Sequence, residues 1–197
     1  MQRPLNQSDG YKGYADLARA YEEGLDYRVI CIERPGSRVA IVGPHGGSIE
    51  RGTSDVARAI AADDFHLYLL EGTRKSGSFA ALHLTSTRFD EPRCLQLLSV
   101  SDHVVTIHGC LGETPEVQIG GLDTDLKLRI RDELAQSHVS AVIAEGRFAA
   151  RQQNNICNRG RRAIGVQLEL SRGLRLSGNT EGVVAAVRAA LHANRHL

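Results

Sequence analysis

The chain has 197 residues, of which 24 are basic and 23 acidic, and its formal net charge is +1. This length suits one domain with a sizeable core, and the balanced charge argues against a general nucleic-acid-binding or membrane-surface protein. The four cysteines form no close pair, which excludes a disulfide framework and a cysteine-rich zinc site. No stretch approaches the roughly 20 apolar residues of a membrane span, and residues 1–10 lack the apolar run of a signal peptide.

Helical and strand patterns alternate along the chain. The first half predicts a helix over 13–23, strands over 27–34 and 38–44, a helix over 53–64 capped by Thr53, strands over 65–72 and 79–86, and a helix over 91–101. The second half predicts strands over 103–109 and 116–121, a helix over 122–134, strands over 140–146 and 164–171, and a last helix from residue 179. We therefore expect an α/β fold, a mostly parallel mixed sheet with helices on both faces. One domain is expected over residues 11–197, after an N-terminal tail of residues 1–10.

Polar side chains follow several strands at the edge where the carboxyl ends of parallel strands meet, which is where open α/β sheets bind ligands. His45 and Glu50 follow strand 38–44, His108 lies at the end of strand 103–109, and Glu169 lies near the end of strand 164–171. Two histidines and a glutamate form a zinc-binding set with an open fourth position. The glycines at 46 and 47 would let the backbone turn His45 and Glu50 toward one ion. Beside such an ion, Glu169 would be a natural general base.

Each of these residues also has an ordinary alternative. A histidine that follows a strand is more often a hydrogen-bonded surface residue than a ligand, and strand alternation would equally turn Glu169 outward. His83 lies within the apolar strand predicted over 79–86, where a hydrogen-bonded core histidine is the default expectation. His66 and His103 begin strands at the opposite edge and are expected to be structural.

Two further kinds of site are considered for the same edge. The glycines at 43, 46 and 47 could cradle a phosphate at a helix N-terminus, although the Lys-Ser/Thr pair of a P-loop is missing. Cys110 follows the predicted strand 103–109 and could act as a thiolate nucleophile. Most free cysteines are inert packing residues, however.

Five arginines lie in a segment that has no carboxylate between Glu145 and Glu169. They are Arg147, Arg151, Arg159, Arg161 and Arg162. Arginine binds carboxylates through two parallel hydrogen bonds, so this segment predicts an anionic partner. The alternatives are solvated arginines on an exposed surface, or a nucleic-acid patch that has only Phe148 for stacking.

Five segments together resemble one known family. They are "YKGYADLARAYEEGLDYRV", "GPHGGSIERGTSDVARAI", "LHLTSTRFDEP", "TIHG" and "GVQLELS". In this order they resemble the phage-type poly-γ-glutamate hydrolase family, which is similar in architecture to zinc carboxypeptidases and cleaves γ-linked glutamate polymers. The similarity runs from about Tyr11 to Arg175.

The resemblance implies one Zn²⁺ ion held by His45, Glu50 and His108, with Glu169 as the catalytic glutamate. It implies an anionic poly-γ-glutamate substrate, with neither a nucleic acid nor a membrane as partner. Without a signal peptide the chain is expected to be cytoplasmic as synthesised, and lysis would release a phage-derived enzyme to its polymer.

Substrate contacts are expected from four residues. Asn158 and Arg159 resemble the Asn-Arg carboxylate clamp of carboxypeptidases, and Arg88 and Arg172 flank the same edge. A zinc peptidase or amidase acting on a different anionic peptide or cell-wall link is the alternative enzyme. A non-catalytic module that binds a polyanion is the alternative without chemistry.

Overall fold

The computed structural model describes residues 10–193. The strands are β1 Tyr27–Ile32, β2 Val39–Gly47, β3 His66–Gly72, β4 His103–Cys110, β5 Val117–Gly121, β6 Ala141–Ile143 and β7 Val166–Ser171. The α-helices are α1 Tyr14–Ala20, α2 Thr53–Ala61, α3 Ser78–Leu82, α4 Pro92–Ser99, α5 Thr124–Gln136, α6 Arg172–Leu176 and α7 Glu181–His192. Two 3₁₀ turns, Gly146–Phe148 and Ile156–Asn158, lie between β6 and β7. Residues 1–9 of the predicted N-terminal tail lie outside the described part of the chain.

All seven strands form one sheet in the order β1-β3-β2-β4-β7-β5-β6. The four central strands β3, β2, β4 and β7 run parallel, whereas β1 pairs antiparallel with β3 and β5 pairs antiparallel with β7. Strand β6 runs parallel to β5 at the edge. The predicted α/β class with a mostly parallel, mixed sheet is confirmed, and the carboxyl ends of β2, β4 and β7 meet at one edge.

The two faces of the sheet bury separate apolar cores. One core packs β-strand residues such as Ile107 and Leu168 against α2, α5 and α7. The other packs Val42 and Tyr68 against α1, α3, α4 and the loops between them. Both faces are therefore covered by helices, as predicted, but the second face is covered by short helices and irregular chain. Within residues 10–193 no helix combines the length and apolar character needed to cross a bilayer.

One predicted strand and one predicted cap are wrong. The segment 79–86 forms helix α3 followed by an irregular loop, because a short apolar run suits a buried helical turn as well as a strand, and α3 buries Ala81 and Leu82. At the start of α2 the cap position is held by Gly52 in a left-handed conformation. Thr53 instead donates its hydroxyl hydrogen to the carbonyl of Glu50 at 2.7 Å. The predicted strand 140–146 is reduced to the three residues of β6.

Candidate metal centre

The site begins with a bulge in β2. Gly43 pairs with Leu69 of β3 but Gly46 pairs with Glu71, so β2 carries one extra residue at this point. On the other side of β2, pairing with β4 ends at Val42, because Pro44 has no N–H to continue the ladder. The bulge lets β2 part from β4 and directs the side chain of His45 into the gap.

His45, Glu50 and His108 converge in this gap, and all three are buried. His45 Nδ1 lies 3.3 Å from Glu50 Oε1 and 3.2 Å from His108 Nδ1. Two ligands of a tetrahedral zinc ion, each about 2.0–2.1 Å from the metal, lie about 3.3 Å apart. His108 Nδ1 is 4.0 Å from Glu50 Oε2, so this edge is somewhat longer. Two of the three distances therefore match the spacing of zinc ligands, and the distance between His108 and Glu50 is longer.

Hydrogen bonds to the backbone aim these three side chains. His45 Nε2 lies 2.8 Å from the carbonyl oxygen of Leu84, which places a hydrogen on Nε2 and leaves the Nδ1 lone pair facing the gap. Glu50 Oε2 accepts from the backbone N–H of Gly109 at 2.7 Å, which leaves Oε1 toward His45. Histidine and carboxylate ligands of metals are held by outer partners of this kind.

The electrostatics of the cluster favour a cation. Burial opposes the charging of His45, but the Glu50 carboxylate outweighs it and raises the pKa of His45. Burial and the charge of His45 lower the pKa of His108 well below its usual range, so His108 is neutral and keeps a free lone pair. In the metal-free protein a proton shared between His45 and Glu50 therefore partly neutralises the carboxylate, and a cation at the same place would do so too.

His83 also reaches the cluster, although the sequence pattern predicts this residue as a hydrogen-bonded core histidine within a strand. Its Nε2 lies 3.7 Å from Glu50 Oε1, and His45, Glu50 and His83 form a group that could hold a metal ion. The His83 ring stacks on His45 with centroids 4.1 Å apart, and on Phe79 at 4.5 Å. Burial and the nearby charge of His45 lower the pKa of His83 to about 3.

Glu169 lies beside the cluster on the neighbouring strand. It is the direct partner of His108 in the β4–β7 ladder, and Gln118 of β5 lies opposite it on the other side. Its carboxylate accepts from Gln167 Nε2 at 2.9 Å. Burial and then the Glu50 carboxylate raise the pKa of Glu169 to about 8, against partial opposition from His45, Gln167 and Arg147. A carboxyl group with a pKa near neutrality is suited to accept and return a proton.

The sequence model of the family described as poly-gamma-glutamate hydrolase matches residues 11–182. The chain belongs to the poly-gamma-glutamate hydrolase family. Curated relatives in Bacillus subtilis (strain 168) include the UPF0714 proteins YndL, 34% identical over 171 residues, and YmaC, 37% identical over 171 residues. Each match covers 86% of this chain, and the chain spans 66% of the length of YndL and 72% of that of YmaC.

Solved structures of this family share the fold. The bacteriophage poly-gamma-glutamate hydrolase superposes with a TM-score of 0.89 at 28% identity, covering 94% of this chain and 98% of that one. A zinc-free apo structure of YndL superposes with a TM-score of 0.86 at 29% identity, covering 95% of this chain and 98% of that one. These matches confirm the family predicted from the five sequence segments.

The predicted substrate-binding arginines of this family member differ in where they lie. Arg88 is on the loop that passes the cluster, two residues from Ser86, and it donates to the carbonyl of Tyr11 at 3.0 Å. Arg172 follows β7 at the same edge, but it is exposed and donates to Glu113 at 2.6 Å. Both lie near the edge that carries the cluster, and both guanidinium groups already have protein partners.

Arg159 and Asn158 do not form a carboxylate clamp at the cluster. Asn158 is buried, and its amide uses all four of its hydrogen bonds on the backbone, accepting from Leu122 and Gly165 and donating to Ala150 and Gln152. Asn158 is therefore corrected to a structural residue. Arg159 is exposed and precedes Gly160, which packs against Val104 at the start of β4, the end opposite His108.

The remaining arginines of the segment separate into two groups. Arg161 pairs with Asp102 at 3.4 Å and Arg162 with Asp123 at 3.1 Å, at the amino end of β4. Arg147 is exposed in the 3₁₀ turn Gly146–Phe148, and its charge helps to lower the pKa of Glu169. Arg147 is thus near enough to Glu169 to affect its pKa, whereas the charge of Arg151 acts on Lys127 of α5 and helps to lower the pKa of that lysine.

The phosphate cradle and the cysteine nucleophile are not supported. A Cβ at Gly43 would lie 2.6 Å from a methyl carbon of Leu69, and a Cβ at Gly46 would collide with Ser54, so these glycines let β2 pack closely against protein atoms. Cys110 is buried, and burial together with the Glu169 carboxylate raises the pKa of its thiol, which opposes thiolate formation.

Proposed function

We propose that the chain is a zinc-dependent hydrolase that cleaves the γ-glutamyl amide bonds of poly-γ-glutamate. The observation that carries the proposal is the convergence of the buried side chains of His45, Glu50 and His108, two of whose three spacings match those of zinc ligands, beside a buried Glu169 of raised pKa. Membership of the poly-gamma-glutamate hydrolase family supports the substrate class.

The donor set fits zinc. Two neutral imidazole nitrogens and one carboxylate oxygen are the ligand types of catalytic zinc sites, in which a fourth position stays open. His45 and His108 would each hold the ion through Nδ1, and Glu50 would hold it through its carboxylate. If His83 occupied the fourth position, the site would be closed and structural rather than catalytic. We therefore assign His83 to the wall of the site, where it stacks on His45.

When bound, the metal would supply Lewis acidity, polarising the scissile carbonyl and increasing the acidity of water. Glu169 accepts the proton of the attacking water and passes it to the leaving amine. Its burial and its raised pKa suit both steps, because a base that must also act as an acid works best near neutrality. The buried walls around His45 and His108 exclude bulk water from the reacting atoms.

The substrate requires cationic contacts. A γ-linked polyglutamate keeps one free α-carboxylate per residue, and Arg147 is an exposed guanidinium on the side of Glu169. We propose that Arg147 binds one of these carboxylates, and that Arg88 and Arg172 contribute further along the polymer by exchanging their protein partners for it.

Replacement of Glu169 by glutamine tests the mechanism. Glu169→Gln should retain one zinc ion per chain and lose at least about 100-fold in kcat, the usual scale for a general base. Incubation of the wild-type protein with γ-linked and α-linked polyglutamate tests the substrate, with cleavage expected for the γ-linked polymer. Cleavage of the α-linked polymer alone would assign the site to an ordinary peptide, and near-full turnover of Glu169→Gln would remove it as the base.

The ligand assignment is tested by metal analysis. His108→Ala should lose stoichiometric zinc, whereas His83→Ala should retain it. The reverse result would make His83, not His108, the third ligand.

A further inference from the structure

A chain of buried side-chain hydrogen bonds leads to Glu169 from the 3₁₀ turn at 156–158. Asn155 Nδ2 donates to Gln167 Oε1 at 3.0 Å, and Gln167 Nε2 donates to Glu169 Oε1 at 2.9 Å. The three residues are 4–6% exposed, so water does not compete for these bonds. Gln167 and Glu169 are two residues apart on β7 and their side chains share one face of the sheet.

The donor-to-acceptor direction of this series of hydrogen bonds is fixed at Asn155. Asn155 Oδ1 accepts from the backbone N–H of Cys157 at 3.1 Å. A backbone N–H can only donate, so the amide nitrogen of Asn155 must face Gln167, and the amide nitrogen of Gln167 must face Glu169. The fold therefore presents a permanent donor to one oxygen of the Glu169 carboxylate.

The same loop is attached to the other side of the site. The N–H of Ile156 donates to the carbonyl of Ser86 at 2.9 Å, and Asn154 Nδ2 donates to the carbonyl of Thr87 at 3.0 Å. Ser86 Oγ lies 3.4 Å from His108 Nε2. Residues 154–157 thus tie Glu169 to the loop that contacts His108.

We propose that Gln167 is a positioning residue for Glu169, held in its working orientation by Asn155. By occupying Oε1, Gln167 leaves Oε2 as the oxygen that exchanges the proton, and it keeps the carboxylate from rotating. Gln167 contacts none of the three candidate metal ligands through these bonds. The inference rests on the proposed function, because it assigns Gln167 a role in the reaction of Glu169.

Two variants test the proposal without changing side-chain size greatly. Gln167→Met removes the donor, and Asn155→Asp reverses the direction of the chain, since an aspartate cannot donate to Gln167 and turns the Gln167 oxygen toward Glu169. Each variant should lower kcat by about tenfold or more, the scale for losing a partner that orients a reacting group. KM and zinc stoichiometry should stay at wild-type values. The acid limb of the kcat/KM profile should move to higher pH, because the carboxylate loses a donor.

Asn158→Asp is the matched control, an identical change in the same loop that leaves the Asn155–Gln167–Glu169 chain intact. It should lower the melting temperature, since a carboxylate in place of the Asn158 amide cannot donate to the carbonyls of Ala150 and Gln152, but it should leave the acid limb in place. If Gln167→Met and Asn155→Asp match the wild type in kcat and acid limb while Glu169→Gln is inactive, the positioning role is overturned. If Glu169→Gln is itself active, the proposed function fails and the positioning role fails with it.

Discussion

The protonation of the buried Glu169 side chain should be measurable through its effect on the free energy of unfolding. In metal-free protein its burial and the neighbouring Glu50 raise its pKa from 4.5 to about 8. The perturbation is Glu169→Gln, which keeps the size of the side chain and an oxygen that can accept from Gln167, and removes the titration. Comparing the wild type with this variant isolates the titration of Glu169 from that of the other ionisable groups.

The sign and size follow from linkage. Between pH 4.5 and about 8 the folded protein holds a proton on Glu169 that the unfolded chain has released. The free energy of unfolding of the wild type therefore falls as pH rises through this window, by about 1.4 kcal/mol per pH unit at most. Across the whole window the free energy of unfolding of the wild type falls by roughly 4–5 kcal/mol because of Glu169. This contribution is absent from Glu169→Gln. The two proteins should be similar near pH 4, and the variant should be the more stable above pH 8.

Urea unfolding in the presence of a chelator, at one-unit steps from pH 5 to pH 9, measures the difference. Glu71→Gln is the control of opposite sign. Burial opposes ionisation of Glu71, but hydrogen bonds from Ser54 and Arg28 and the charge of Arg58 outweigh it and lower its pKa. The stability that ionised Glu71 contributes is present above its unfolded pKa and is lost as pH falls through its folded pKa, so Glu71→Gln should be the less stable protein near neutrality.

If the free energies of unfolding of the wild type and Glu169→Gln change in parallel from pH 5 to pH 9, the raised pKa of Glu169 is refuted. The electrostatic argument for Glu169 as the base is then refuted too. Saturating zinc should reduce the difference in stability between the two proteins, because a cation beside Glu169 favours its ionised form.

Three further outcomes are expected. His45→Ala should abolish stoichiometric zinc in elemental analysis, whereas His66→Gln at the opposite edge of the sheet should retain it; equal zinc contents would remove His45 from the ligand set. Arg147→Ala should raise KM for poly-γ-glutamate about tenfold or more, as expected for a lost charge-assisted contact, and Arg161→Ala, whose guanidinium pairs with Asp102, should not; equal KM values would exclude Arg147 from the substrate site. Cys110→Ser should keep activity within about twofold, since a buried thiol of raised pKa is no nucleophile, and a large loss of kcat would reopen the thiolate mechanism.

Much of the site can be predicted because of one topological rule. The carboxyl ends of parallel strands meet at one edge, so residues that follow strands as distant in sequence as β2, β4 and β7 become neighbours. These strands are adjacent in the sheet, and His45, His108 and Glu169 lie together for that reason. Strand periodicity and the position of polar residues near the ends of the strands are enough to name them as candidates, whereas their roles are implied by the resemblance to the family.

The rest depends on packing that no local pattern records. The run 79–86 is apolar enough for a strand or a buried turn, and only the tertiary structure places His83 on His45. Counter-charges are hidden from the sequence for the same reason, because Arg161 and Arg162 find theirs on Asp102 and Asp123, far from their own segment. In the sequence Asn158 resembles a donor that is free to bind substrate beside Arg159. In the structure its side-chain amide is occupied by hydrogen bonds to the backbone.

The bulge in β2 places His45 in the candidate site without ending the pairing of β2 with β3. Three residue steps on β2, from Gly43 to Gly46, correspond to two on β3, from Leu69 to Glu71. We expect that deleting a single residue there would remove the register shift between β2 and β3 and withdraw the imidazole of His45 from Glu50 and His108. The position of His45 in the candidate metal centre thus depends on one extra residue in β2.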